Sequence, residues 1–282
     1  MNSDFASTAL HEALEAVDPD LRPATERLLA QLDDEDLAER GPRDIVGAAT
    51  SMCLLAGQRD PGETLISVFT PTLREHGWTS RRTIVNIITD DAPFLVDSAA
   101  AAIARQGLTV HLLMHPLVSV RRDDDGALLG TDAHGGVLES WIHLEVDRVP
   151  TEEGRVELLE HLQRVLSDVH AAVADWRAMR RACLDIVTDL RTMAPASVDP
   201  ASVAPTAEFL SWLVDENFTF LGYREHALET DDNGEDVLRP LPHTGLGILR
   251  KSTGSVSRLR PEAQRTASYQ SPPTSACSAT GR

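Results

Sequence analysis

Six consecutive residues, Asp90, Asp91, Ala92, Pro93, Phe94 and Leu95, stand where the sequence pattern changes from strand to helix, and their types suit the holding of a small molecule. A helix start leaves backbone N–H groups without partners at the positive end of the helix dipole, an arrangement that accepts an anion. The carboxylate of an amino acid fits those amides, and Asp90 or Asp91 fits its ammonium group. The same residues also have a purely structural reading. Asp91 or Ala92 caps the helix, Pro93 occupies the first turn where its missing N–H is not needed, and Phe94 and Leu95 enter the core.

Other constellations carry less. His111, His115, His143 and Trp141 share one face of a predicted hairpin, yet His111 and His115 lie about 13 Å apart on an extended strand, too far to share a metal. A half-polar sheet face covered by another domain accounts for them. In Gly245-Leu246-Gly247 the third glycine of a dinucleotide fingerprint falls at Arg250 and no complete βαβ unit follows. Asp123-Asp124-Asp125-Gly126 lacks the alternating ligands and distal glutamate of a calcium loop and reads as a hairpin turn. No GxSxG, HExxH or P-loop occurs, and Lys251 is the lone lysine. The residues therefore point to no catalytic group, no metal site and no bound cofactor.

The elements that position these residues follow from periodicity. Residues 5–57 read as helices punctuated by Pro19, Pro23, Gly41-Pro42 and Gly57, followed by a β-rich run closed by Pro71. TIVNIIT is then a buried strand and the following stretch a helix that stops at Gly107, with Leu95, Ala99, Ala102 and Ile103 on its apolar face. A strand over LTVHLLMHPLVSV, the turn RRDDDG and the alternating strand LESWIHLEV form an antiparallel hairpin, the last strand buried on one face. From Thr151 apolar residues recur at spacings of three and four to about Met193, predicting one long helix or two nearly collinear ones. The order β-α-β-β-α is that of a ferredoxin-like sandwich lacking its last strand, an α+β fold. Six segments result: helices over 1–62, an α/β module over 63–150, a long helix or arm over 151–193, a Pro/Ala/Ser linker over 194–206, an incomplete second α/β module over 207–253, and a disordered or frameshifted tail over 254–282.

Composition bounds the partners. A formal charge of −18, from 44 acids against 26 bases, opposes binding to nucleic acid or anionic membrane, so small molecules and protein are expected. Three scattered cysteines, Cys53, Cys183 and Cys277, support neither a disulfide framework nor a CxxC site. With no signal-peptide pattern and no long apolar run, a soluble cytoplasmic protein is expected.

The strand-to-helix turn at Asp90–Leu95 resembles that of ACT domains, which bind amino acids in many metabolic regulators and place glycine where Phe94 stands. More broadly, Thr70-Pro-Thr-Leu-Arg-Glu-His-Gly-Trp78, Asp90-Asp-Ala-Pro-Phe-Leu-Val-Asp-Ser98, Gly107-Leu-Thr-Val-His-Leu-Leu-Met-His-Pro116, Asn217-Phe-Thr-Phe-Leu-Gly-Tyr223 and Gly245-Leu-Gly-Ile-Leu-Arg250 resemble, in order, the amino-terminal segment of the large NAD-specific glutamate dehydrogenases. The resemblance implies ACT-like regulatory modules ahead of a distant catalytic domain that oxidises L-glutamate to 2-oxoglutarate with NAD. None of the family's substrate lysines and no part of its Rossmann domain falls in this stretch. It also implies the remainder of the enzyme or other subunits as partners. A free-standing amino-acid sensor and an oligomerisation arm on residues 151–193 are the competing readings.

Overall fold

The computed structural model describes residues 10–19, 21–30, 40–131, 135–193, 200–252 and 254–258. Those residues separate into two compact units, one within residues 1–166 and one within 167–282. Among them no helix is long and apolar enough to cross a membrane.

The first unit is built on a six-stranded sheet, antiparallel at every pairing. In chain order its elements are α1 (Arg22–Leu29), α2 (Pro42–Ala56), β1 (Leu65–Phe69), α3 (Leu73–His76), β2 (Thr83–Asp90), α4 (Leu95–Arg105), β3 (Val110–Met114), β4 (Leu117–Arg122), β5 (Leu128–Thr131) and β6 (Val137–Val146). The strand that the β-α-β-β-α order lacks is supplied from upstream, for β1 pairs with β2 on the edge where a final strand would add. The fold is thus a mixed α+β, ACT-like sandwich.

Local signals act as expected along much of this unit. Gly107 takes φ 76°, and the amides of Gly107 and Leu108 bond back to Ala104 and Ile103, closing α4. The long predicted strand pairs with β6 in one register through Met114↔His143 and Leu117↔Ser140, with a gap at Pro116, which has no N–H to give. The turn RRDDDG is tied by Asp123, whose Oδ1 accepts the amides of Asp125 and Ala127 at 3.0 and 2.8 Å.

Two expectations change. That turn leads first into β5, which pairs with the outer edge of β4, and only then does the chain reach β6 on the other side. Strand β6 is buried on both faces from Glu139 to Val146, not on one. Leu28, Ala49, Met52 and Cys53 of α1 and α2 form one core with Ile88, Val118, Val120 and Trp141, so the N-terminal helices cover the face that was expected to be half polar. The opposite face, with Val85, Ile87, Ile142 and Leu144, is equally buried. The apolar stripe of α4 is available to cover it.

In the second unit the long helix α5 (Glu152–Met193), which begins in the first unit, is followed by α6 (Pro200–Trp212). Residues 200–206, expected as linker, are therefore helical; Ala201, Ala204 and Ala207 favour the helix, and Pro205 removes one of its hydrogen bonds. Residues 194–199 lie outside the described ones. The strands expected over 217–228 and 245–250 shrink to β7 (Gly222–Tyr223), β8 (His226–Thr230) and β10 (Leu246–Gly247), with β9 (Asp236–Pro240) completing the hairpin around Asp231–Gly234. Gly247 ends its strand at once: it sits at φ 58° against the Leu221 carbonyl, where a Cβ would come within 2.2 Å. From the segment expected to be an unstructured tail, β11 (Ser257–Arg258) pairs with β9, while residues 259–282, Cys277 among them, lie outside the described ones.

Candidate functional site

At the end of β2 the chain leaves the sheet through Asp90–Phe94 and enters α4 at Leu95. The helix cap is Phe94, not Asp91 or Ala92, and no side chain caps the helix. Phe94 adopts the left-handed backbone, φ 70°, which glycine favours and a bulky residue resists. Phe94 stays 54% exposed, whereas Leu95 enters the core, so the structural reading holds for leucine and fails for phenylalanine. With no cap, the first amides of α4 remain open to an acceptor.

Both acids of the turn are drawn to the sheet instead. The Asp91 amide donates to the Leu138 carbonyl at 3.3 Å, and its Oδ1 accepts the Ser140 hydroxyl at 2.7 Å. His115 Nε2 lies 3.0 Å from the same hydroxyl oxygen. Because Ser140 spends its proton on the carboxylate, His115 donates from Nε2. Burial pushes the His115 pKa down, and the Asp91 charge partly offsets this.

Asp90 points to the other face and meets Arg59, which is 2% exposed. Behind them is a buried charge network. Glu139 receives Arg122 Nε and Nη2 at 2.7 and 3.0 Å and the Trp141 indole N–H at 3.0 Å, with Arg59 Nη1 at 3.6 Å. Arg122 also donates to the carbonyls of Ala56 and Gly126, both at 2.9 Å. Two guanidiniums thus anchor the turn to the helical layer and the β4–β5 hairpin. Sequence periodicity gave no sign of this network, whose members are separated by tens of residues.

The three histidines of the predicted hairpin do not converge. His111 pairs with Asp147 at 2.7 Å, His115 with Ser140, and His143, fully buried, with Asn86 at 2.7 Å. Among the described residues no three His, Cys, Asp or Glu side chains gather as a metal would need. Cys53 and Cys183 are buried and form no disulfide, and burial pushes the Cys53 thiol up to about 11, away from thiolate chemistry. In the second unit Asp175 accepts the Gly247 amide at 2.8 Å and binds Arg250 through both carboxylate oxygens. The Gly245–Arg250 segment is therefore closed on a carboxylate of its own chain, and Arg250, followed by the Gly247 amide, holds the Asp175 pKa low.

An ACT-like turn on a wholly antiparallel sheet has a counterpart among known proteins, for residues 24–162 match the family described as the glutamate dehydrogenase ACT1 domain. Residues 24–162 belong to that family. Three relatives that match beyond those residues are NAD-specific glutamate dehydrogenases. That of Halomonas elongata is 37% identical over 77% of this chain, that of Pseudomonas aeruginosa 30% over 90%, and that of Mycobacterium tuberculosis 25% over 73%. The chain spans 14%, 16% and 12% of their respective lengths. The ACT1 match takes in α2 as well as the sheet, consistent with a helical layer that is integral to the module.

Proposed function

We propose that this chain is the amino-terminal, non-catalytic region of a large NAD-specific glutamate dehydrogenase, and that its ACT1 module regulates the enzyme by taking up a small amino acid at the Asp90–Leu95 turn. The observation that carries this reading is the uncapped start of α4, closed by neither Asp90 nor Asp91, in a module whose relatives bear that name. A bound carboxylate accepts from the open amides after Phe94, and the outer oxygen of Asp91 receives the ammonium group. NAD and L-glutamate chemistry belong to the remainder of the enzyme, which is the partner of this chain. An antiparallel sheet supports that division, because dinucleotides bind at the switch point of a parallel one. The acidic balance supports ligands that include neither nucleic acid nor anionic membrane lipid.

Two measurements test the reading. Purified chain supplied with NAD and L-glutamate is expected to form no NADH above background; turnover would overthrow the assignment of catalysis elsewhere. Calorimetric titration with a panel of L-amino acids is expected to find one that binds, with affinity lowered by Asp91→Asn. Unchanged affinity in that variant would place the effector elsewhere.

A further inference from the structure

A second concavity lies at the opposite end of β2 from the turn. A cleft of about 760 Å³ opens where the start of α2, the loop after α3 and the ends of β3 and β6 meet. His143 lines it, fully buried, and the ring Nε2 has no hydrogen-bond partner.

The tautomer of that ring follows from its neighbours. Ser51 gives its hydroxyl proton to the Ala48 carbonyl at 2.7 Å and accepts the Asn86 side-chain amide at 3.2 Å. Asn86 therefore presents its carbonyl oxygen to His143, and His143 donates from Nδ1. A flipped Asn86 would set its oxygen against the Ser51 oxygen with no proton between them. Burial pushes the His143 pKa down to about 4, so the ring is neutral at pH 7 and Nε2 is a bare acceptor. A buried acceptor is destabilising until something donates to it.

The surroundings say what that donor is attached to. Four arginines and three acids line the cleft, in a chain whose formal charge is −18. The acids are already engaged. Glu145 is gripped by Arg40 at 3.2 and 3.1 Å, Asp44 accepts the Thr79 amide at 2.9 Å, and Asp147 is held at a pKa of about 2 by its bond from His111 and then by the Thr109 amide. The arginines are not all engaged. Arg82 pairs with Glu145 at the long distance of 4.0 Å, and Arg81 and Arg148 are exposed with no ion pair among the described residues. A water molecule would satisfy Nε2 and leave these cations unmatched.

We propose that this cleft binds a small dicarboxylate carrying a hydroxyl or amino group beside one of its carboxylates. The hydroxyl or amino group donates to His143 Nε2, and the carboxylates meet Arg81, Arg82 and Arg148. The site is separate from the Asp90–Leu95 turn, since Asp90 pairs with Glu139 at one end of the β2–β6 ladder, whereas His143 pairs with Asn86 in its middle and Arg82, Asp147 and Arg148 of the cleft flank its other end at Thr83↔Val146. It recognises the donor as well as the charge.

Isothermal titration of the whole chain with L-malate, L-aspartate and succinate tests this. Malate and aspartate carry the donor as hydroxyl and amine, and succinate lacks it. At least one of the first two is expected to bind on the order of tenfold or more tightly than succinate, and the tighter of the two identifies the donor. The double variant Arg81→Gln, Arg148→Gln alters exposed residues and is expected to weaken binding on the order of tenfold while the fold survives. The Nε2 nitrogen NMR signal of His143 is expected to move on binding, a readout that needs no variant at this buried site. Asp91→Asn is expected to leave this binding unchanged, which separates its failure from that of the effector reading at the turn. Equal affinity for succinate, no binding of malate or aspartate, affinity unmoved in the double variant, a fixed Nε2 signal, or loss of binding in Asp91→Asn would each overturn the proposal.

Discussion

The Ser140 hydroxyl donates to Asp91 at 2.7 Å, which turns the acid at the start of α4 back onto the sheet and leaves the helix without a cap. The bond joins residues 49 positions apart. Asp91 therefore stabilises the protein through the sheet and not through the helix. Ser140→Ala and Asp91→Ala are each expected to cost about 1 kcal/mol, a value kept low because the acid is exposed. In a double-mutant cycle most of that cost should appear as coupling; additive effects would mean that Asp91 acts through the helix after all.

Phe94 holds φ 70° with its ring in solvent. A side chain in that region costs about 1–2 kcal/mol, whereas glycine gives back about 0.4–1 kcal/mol in the unfolded chain. Phe94→Gly is thus expected to raise stability by up to about 1 kcal/mol, seen as a higher Tm. It also clears the approach to the open amides. A lower Tm would show that the ring makes a contact worth more than the strain.

Glu139 is 1% exposed and stands between Arg59 and Arg122. Removing its charge leaves the buried Arg59 and the part-buried Arg122 facing each other without it, so Glu139→Gln is expected to destabilise the first unit by about 3 kcal/mol. Hydrogen exchange at the amides of β2 and β6 reads this loss in that unit alone. Protection equal to that of the native chain would refute it.

Acid should act through His143. Its folded pKa, about 4, lies below the ordinary value of 6.5, so the unfolded chain binds the extra proton first. The stability carried by the neutral ring is complete above pH 6.5 and declines as pH falls through about 4. At most about 3 kcal/mol is at stake. Urea unfolding of the native chain and of His143→Gln, measured across this window, should differ in slope, the variant being flatter. Parallel curves would mean that other groups carry the acid response.

Much of the fold is legible in local signals because their causes are local. The period-2 run at Leu138–Val146, the period near 3.6 after Thr151, Gly107 at its left-handed position and the Asp123 turn each depend on neighbours within a few residues. The order β-α-β-β-α follows from them. The same reasoning marks the Asp90–Leu95 turn as a place where helix amides are open.

What the sequence left undetermined is every choice among distant partners. Strand β1 has a strand pattern, but its place beside β2 is a choice among open edges that only the assembled sheet makes. The period-2 alternation of β6 records one buried face and cannot report that α1 and α2 bury the other, because the residues there, Glu139, Trp141, His143 and Glu145, are mostly polar and find their partners across the fold. Glu139 needs Arg122, His143 needs Asn86 and Glu145 needs Arg40, which is 105 residues away. A polar residue in a strand pattern looks solvated until a partner is brought to it, and bringing that partner is the work of tertiary packing. The left-handed Phe94 has the same origin. Its strain is set by the two fixed ends it joins, the end of β2 and the buried stripe of α4, and neither end is visible in Phe94 itself.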